Sequence, residues 1–163
     1  MSRTPAAIAA FSLIVLSACA SGPRMSDAER LALLEAHAGE PVRSIRHPGR
    51  FAGWSAVGNS AMVLNVRPNE AYLFALTPCQ DLTFAQAIRI SNRGSMIAAR
   101  FDSVTPVGPG VSSIRIRCHI QSIRPLDIAA LRQTRDELRE AQAVEREDED
   151  AAPGAGAEDD TSG

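Results

Sequence analysis

The chain has 163 residues, 45% hydrophobic and 22% charged, which leaves room for one ordinary domain and excludes two. All 17 basic residues are arginine, a bias that a GC-rich genome explains without a functional reading. The net charge of −2 conceals an asymmetry: Cys19–Ala143 carries 15 arginines and 11 acids (+4), whereas Val144–Gly163 carries one arginine and eight acids (−7).

The first 18 residues read as an export signal. Arg3 supplies the positive charge, and an apolar run follows from Ala6 to Leu16, broken only by Ser12. A membrane-spanning helix needs about 20 apolar residues, so this shorter run fits the hydrophobic region of a secretory signal instead. Leu16-Ser17-Ala18-Cys19 then matches the lipobox of bacterial lipoproteins in full. Cleavage before Cys19 leaves its thiol to carry the lipid (diacylglyceryl and palmitate-type chains), and each buried methylene contributes about 0.8 kcal/mol to such an anchor. Ala20, rather than Asp, after the cysteine favours the outer membrane, with the domain facing the periplasm. Residues 19–25 form the lipidated tether, 26–143 a single globular domain, and 144–163 an acidic tail read as disordered.

Ser26-Asp27-Ala28-Glu29 is a capping box, followed by Leu31, Leu34 and Ala38 at helical spacing. It predicts a helix over Asp27–Ala38 with Gly39 just past its end. A strand-rich region follows. Val42–Arg46 is a short strand. Ala52–Val57 and Ala61–Val66 form a hairpin around Gly58-Asn59-Ser60, and Ala71–Leu76 is apolar enough to be covered on both faces. Gln86–Ser91, one or two strands within Met96–Val107, and Ser113–Gln121 complete the set. In the last of these, Ile114, Ile116, Cys118 and Ile120 face the core, and Arg115, Arg117, His119 and Gln121 face away. Pro125 opens a second helix, with Leu126, Leu131, Leu138 and Ala141 as its apolar stripe. The scarce aromatics Trp54, Tyr72, Phe74 and Phe101 are expected to matter for packing. The fold class is α+β: a small antiparallel sheet or partly closed barrel with a helix at each end.

With Cys19 lipidated, Cys79 and Cys118 remain. In an oxidising compartment such a pair forms a disulfide, whereas a redox pair usually sits as Cys-x-x-Cys. His37, His47 and His119 lack metal-ligand spacing, so no metal and no cofactor is expected. No P-loop, dinucleotide fingerprint or Gly-x-Ser-x-Gly elbow occurs, and no catalytic residue is assigned. Arg43, Arg46 and Arg50, with Arg115 and Arg117 on one strand face, read as solubilising surface. Anionic envelope components such as phosphorylated headgroups are the other reading. Export excludes nucleic acid as a natural partner.

The order of Trp54, Tyr72-Leu73-Phe74, Cys79 with Leu82, Ile88 and Cys118-x-Ile120-x-x-Ile123 resembles a family of small exported bacterial proteins known as a domain of unknown function. The resemblance covers about Val42 to Asp127. It implies that Cys79 and Cys118 are a paired framework, and it implies no activity. The expectation is therefore a lipid-anchored envelope protein acting as a non-catalytic binding or structural module, with an envelope protein or cell-wall component as partner. The alternative is a small periplasmic hydrolase whose residues meet only in the fold, with His47, His119 and Asp102 as candidates.

Overall fold

A computed structural model describes residues 25–111 and 116–151. The signal, Cys19, Ile114, Arg115 and residues 152–163 lie outside the described residues. Helix α1 spans Asp27–Ala36, and both halves of the capping box form. The Glu29 backbone N–H donates to Ser26 Oγ at 3.2 Å, and the Ser26 N–H donates to Glu29 Oε2 at 2.7 Å. The hydrogen bonds from Ser26 hold the Glu29 carboxyl below its ordinary pKa. The helix stops two residues earlier than its periodicity predicts, with His37 as C-cap. Gly39 has a different role from the expected helix end: a Cβ there would lie 3.2 Å from Cγ of Pro125.

Among the described residues eight strands follow: β1 Ser44–Arg46, β2 Gly53–Val57, β3 Ala61–Arg67, β4 Glu70–Leu76, β5 Ala87–Ile90, β6 Met96–Ala98, β7 Ser103–Val107 and β8 Cys118–Leu126. Six form a strongly curled antiparallel half-barrel in the order β2-β3-β4-β8-β7-β5, and β1 with β6 makes a small second sheet. The β2–β3 hairpin turns at Gly58, whose φ of +60° suits a residue without Cβ. Residue alternation sends the two faces of β3 and β4 into separate apolar layers. Met62, Leu64, Val66, Phe74 and Leu76 join Ile45 of β1, Ile97 of β6 and the 3-10 turn at Leu82. Val63, Ala71 and Leu73 join Leu34 of α1 and Leu131 of the second helix. A strand with apolar residues on both faces is thus covered on both sides, as the unbroken run Ala71–Leu76 implied.

The C-terminal third departs from expectation at three points. First, β8 begins at Cys118, and Ile116 is 48% exposed rather than in the core. The strict alternation also breaks later. Leu76 pairs with Ile120 but Ala75 with Ser122, so Gln121 is an extra residue, a bulge, and the same core face returns at Ile123 after three residues instead of two. Second, Pro125 lies inside β8, opposite Tyr72. Its carbonyl accepts the Gly39 N–H at 2.8 Å, so its nitrogen also faces away from β4, and the missing N–H costs the β4–β8 ladder nothing. Leu126 is accordingly a strand residue in the helix-side layer. Third, helix α2 spans Ile128–Ala151, so eight residues read as disordered tail are helical. Asp127 caps it, accepting the Ala130 N–H on Oδ1 at 3.0 Å. A solvated acidic face and a helix are compatible, because Glu, Arg, Gln and Ala are good helix formers. Leu131 is buried, whereas Val144 is 58% exposed.

The outer edge of β8 is covered in pieces. Of β8, strand β7 pairs with Cys118 and His119 alone. The Arg100 N–H then donates to the Ile120 carbonyl, and the segment Ala38–Val42 bridges Leu126 and Ile123. Arg124 braces that segment, donating from Nε to the Gly39 carbonyl at 2.8 Å and from Nη2 to the Ala38 carbonyl at 2.7 Å.

Candidate functional site

Cys79 and Cys118 form a disulfide between the segment after β4 and the first residue of β8, with Cα atoms 5.5 Å apart and both residues 1% exposed. The bridge closes a separation of 39 residues, which corresponds to about 4 kcal/mol of lost unfolded-state entropy. Its position also organises what lies above it. Cys118 points into the core, so its neighbours Arg117 and His119 project to the opposite face.

That opposite face carries an open cleft of about 570 Å³. Strand register builds its floor. Ser103 pairs with His119, Val104 with Cys118, Arg89 with Thr105 and Ile90 with Val104. One cross-strand row therefore holds Ser91, Ser103 and His119. Continuing the β7–β8 register by one residue aligns Arg89, Thr105 and Arg117 in a second row. The intervening residues Ile88, Ile90, Val104 and Cys118 pack on the core side. Arg93, on the turn after β5, and Phe101, on the turn after β6, border the same cleft. Phe101 is 69% exposed, so the packing expected of it is replaced by a place at the cleft's edge.

Asp102 ties these turns together. It is 2% exposed. Its Oδ1 accepts the Ser91 hydroxyl at 2.9 Å, and its Oδ2 accepts the Ala98 N–H at 2.8 Å. The Ser91 Oγ in turn accepts the Ser103 N–H at 2.9 Å. The Asp102 backbone closes the circuit, donating to the Ala98 carbonyl and accepting from the Ile120 N–H, both at 3.0 Å. Next to it, Arg100 adopts φ +69°, a left-handed conformation that costs an L-residue about 1–2 kcal/mol. Its N–H bond to Ile120 at 2.6 Å holds it there.

The three sequence candidates for acid–base chemistry thus divide. His119 and Asp102 line one cleft. His47 lies elsewhere: its Nδ1 accepts the Gly49 N–H at 3.0 Å, and its ring meets Phe51 edge-on at 4.7 Å. His37 joins the two helices through Nε2 and Thr134 Oγ1, 3.2 Å apart. Arg43, Arg46 and Arg50 are exposed. Arg89 and Arg93 carried no motif signal; only the β5–β7 register brings them to the cleft.

A second concavity, about 250 Å³, lies between the helices and the sheet, bordered by Arg30, Arg132 and Arg135. Two of these arginines are engaged. Arg30 donates to the Ala56 carbonyl and Ser55 Oγ, both at 3.0 Å, and Arg132 to the Pro68 carbonyl and Asn69 Oδ1, both at 3.1 Å. Partial burial, then the charges of Arg30 and Arg139, lower the pKa of Arg135 from its ordinary value. Among the described residues, no group of three or more His, Cys, Asp or Glu could hold a metal ion, and no helix is long and apolar enough to cross a membrane.

An α+β half-barrel with a buried disulfide and an open polar cleft defines the class to which the chain's architecture belongs. Residues 2–142 match the family of unknown function DUF6491, and the chain belongs to that family. No curated protein and no solved structure matches it.

Proposed function

We propose that this chain is a lipid-anchored protein of the bacterial envelope, held by acylated Cys19 in the outer membrane and facing the periplasm, whose domain is a non-catalytic binding module. The observation that carries the anchor is the complete lipobox Leu16-Ser17-Ala18-Cys19 closing an apolar run too short to span a bilayer. The Cys79–Cys118 disulfide supports an oxidising compartment. From Cys19 to Ser26 the seven intervening steps reach at most about 25 Å, so the domain works close to the bilayer surface.

The binding-module half follows from how the cleft uses its polar groups. Both oxygens of Asp102 accept hydrogen bonds, and the Ser91 proton goes to that carboxylate rather than to an imidazole. The hydrolase reading has one observation in its favour, the shared cleft of His119 and Asp102. Among the described residues no hydroxyl of the cleft is hydrogen-bonded to the His119 ring.

Metabolic labelling with a palmitate analogue, followed by membrane fractionation, tests the anchor. The wild-type chain takes up label and sediments with the outer membrane, and Cys19→Ser does neither. Label on Cys19→Ser would overturn the assignment.

A further inference from the structure

We infer that the cleft over β5 and β7 is a binding site for a phosphate ester. The inference rests on the binding-module reading and supplies its ligand class.

Arg89, Arg93 and Arg117 all border this one cavity, and among the described residues none of the three guanidiniums has a hydrogen-bond or ion-pair partner. Its one carboxylate, Asp102, is turned to the Ser91 hydroxyl and the Ala98 N–H. Three guanidiniums against one carboxylate leave these four groups with a formal charge of +2. The arginine bias of the whole chain makes the choice of Arg over Lys uninformative, but it does not explain placement. Arg30, Arg124 and Arg132 spend their guanidiniums on backbone carbonyls. Arg46 and Arg50 stand on exposed surface and border neither this cleft nor the concavity between the helices and the sheet. At the β5–β7 cleft three cations unpartnered among the described residues face one space.

The charge and donor count select the ligand. A carboxylate offers two oxygens and one negative charge. A phosphate monoester offers three terminal oxygens and a charge near −2, which matches the excess and can accept from several guanidinium forks at once. The Thr105 hydroxyl and the His119 ring add donors on the same floor. A volume of about 570 Å³ falls within the usual range for small-ligand sites and exceeds the needs of bare phosphate. Exposed Phe101 offers an apolar surface to the organic part of the ester. That ester has two sources near a bilayer: a soluble phosphate ester or a phosphomonoester lipid headgroup.

The purified full chain in neutral detergent is titrated with glycerol 3-phosphate by calorimetry. It is also mixed with phosphatidylcholine vesicles with and without phosphatidic acid. In both arms phenylglyoxal modification of individual arginines is read by mass spectrometry. Binding is expected in at least one arm, with protection of Arg89, Arg93 and Arg117 but not of Arg46 or Arg50. Protection by glycerol 3-phosphate alone assigns a soluble source, and protection by phosphatidic acid alone assigns a headgroup; either supports the site. In the arm that binds, Arg89→Gln/Arg117→Gln weakens binding at least about tenfold, and the external control Arg135→Gln leaves it unchanged. The wild-type footprint decides the matter even if the double variant fails to fold. No binding in either arm, protection elsewhere, or equal loss in the control overturns the inference. Release of inorganic phosphate from glycerol 3-phosphate would instead overturn the non-catalytic reading and leave the ligand class standing.

Discussion

Replacing Asp102 by Ala removes the acceptor that joins three segments: the turn after β5 through Ser91, the end of β6 through Ala98, and the start of β7 through its own backbone. Two hydrogen bonds to a carboxylate are lost, each worth about 1.5–3 kcal/mol, so the expected destabilisation is about 3–6 kcal/mol. That is a large share of a domain stability of about 5–15 kcal/mol. The Ser91 hydroxyl, which holds the Ser103 N–H, loses its own acceptor at the same time. Asp102→Asn retains one acceptor oxygen but turns an NH₂ toward the other donor, so about one bond is lost, about 1.5–3 kcal/mol. Urea unfolding under oxidising conditions measures both, and the midpoint should fall with little change in slope. A loss below about 1 kcal/mol for Asp102→Ala would show that water replaces the carboxylate easily, and the account of Asp102 as the tie of the cleft would fail.

Two further perturbations follow from the same structure. Reducing the Cys79–Cys118 bridge should destabilise the domain by about 2–5 kcal/mol, and replacing one cysteine should be worse than replacing both, because a lone thiol pairs between molecules. Two alkylatable thiols in freshly isolated protein, read by non-reducing mass spectrometry, would refute the bridge. Tyr72 is the only tyrosine, and desolvation, then its hydrogen bond to Glu70 at 2.9 Å, raise its pKa above the ordinary value. The folded state therefore favours the neutral phenol: that stabilisation is full below pH about 10 and is lost as pH rises through the folded pKa. Phenolate absorbance should titrate later in the folded chain than in urea, and an equal or earlier midpoint would contradict the environment described.

The elements whose physics is local were legible in the sequence. Ser26 and Glu29 announce α1, Gly58 announces the hairpin, and the run Ala71–Leu76 announces a strand covered on both sides. The disulfide was legible from the thiol count together with the expectation of an oxidising compartment. Misreadings arose where a neighbour decides. Pro125 breaks helices and ordinary ladders, and only the direction of its nitrogen, set by Gly39 and β4, makes it a strand residue. Alternation through Cys118 and Ile120 gave no warning of the bulge at Gln121, because bulges are set by the partner strand. Glu145, Arg146 and Glu147 are exposed as their charges suggested, but exposure does not exclude a helix. The cleft was legible only in part. Arg117 and His119 were placed on the outward face of their strand, but Arg89 and Arg93 join them through pairing across the β5–β7 ladder, which no local pattern encodes.

The strand order has a consequence for how the chain acquires its structure. The last strand in sequence, β8, stands in the middle of the sheet, with β2-β3-β4 on one side and β7-β5 on the other. A chain that emerges N-terminus first, from a ribosome or through a pore, therefore holds two half-sheets with no ladder between them until residues near 120 arrive. The three-stranded half can form early from neighbouring hairpins and β5 pairs with β7 over a short stretch of chain, whereas β4 waits for β8, its distant partner, to arrive. Closing such long-range pairings late makes folding slower than helical or hairpin assembly, and until then the edge of β4 is open to other chains. The final strand acts as the keystone of an arch: the pieces on either side can be laid in any order, but neither carries load until it is set.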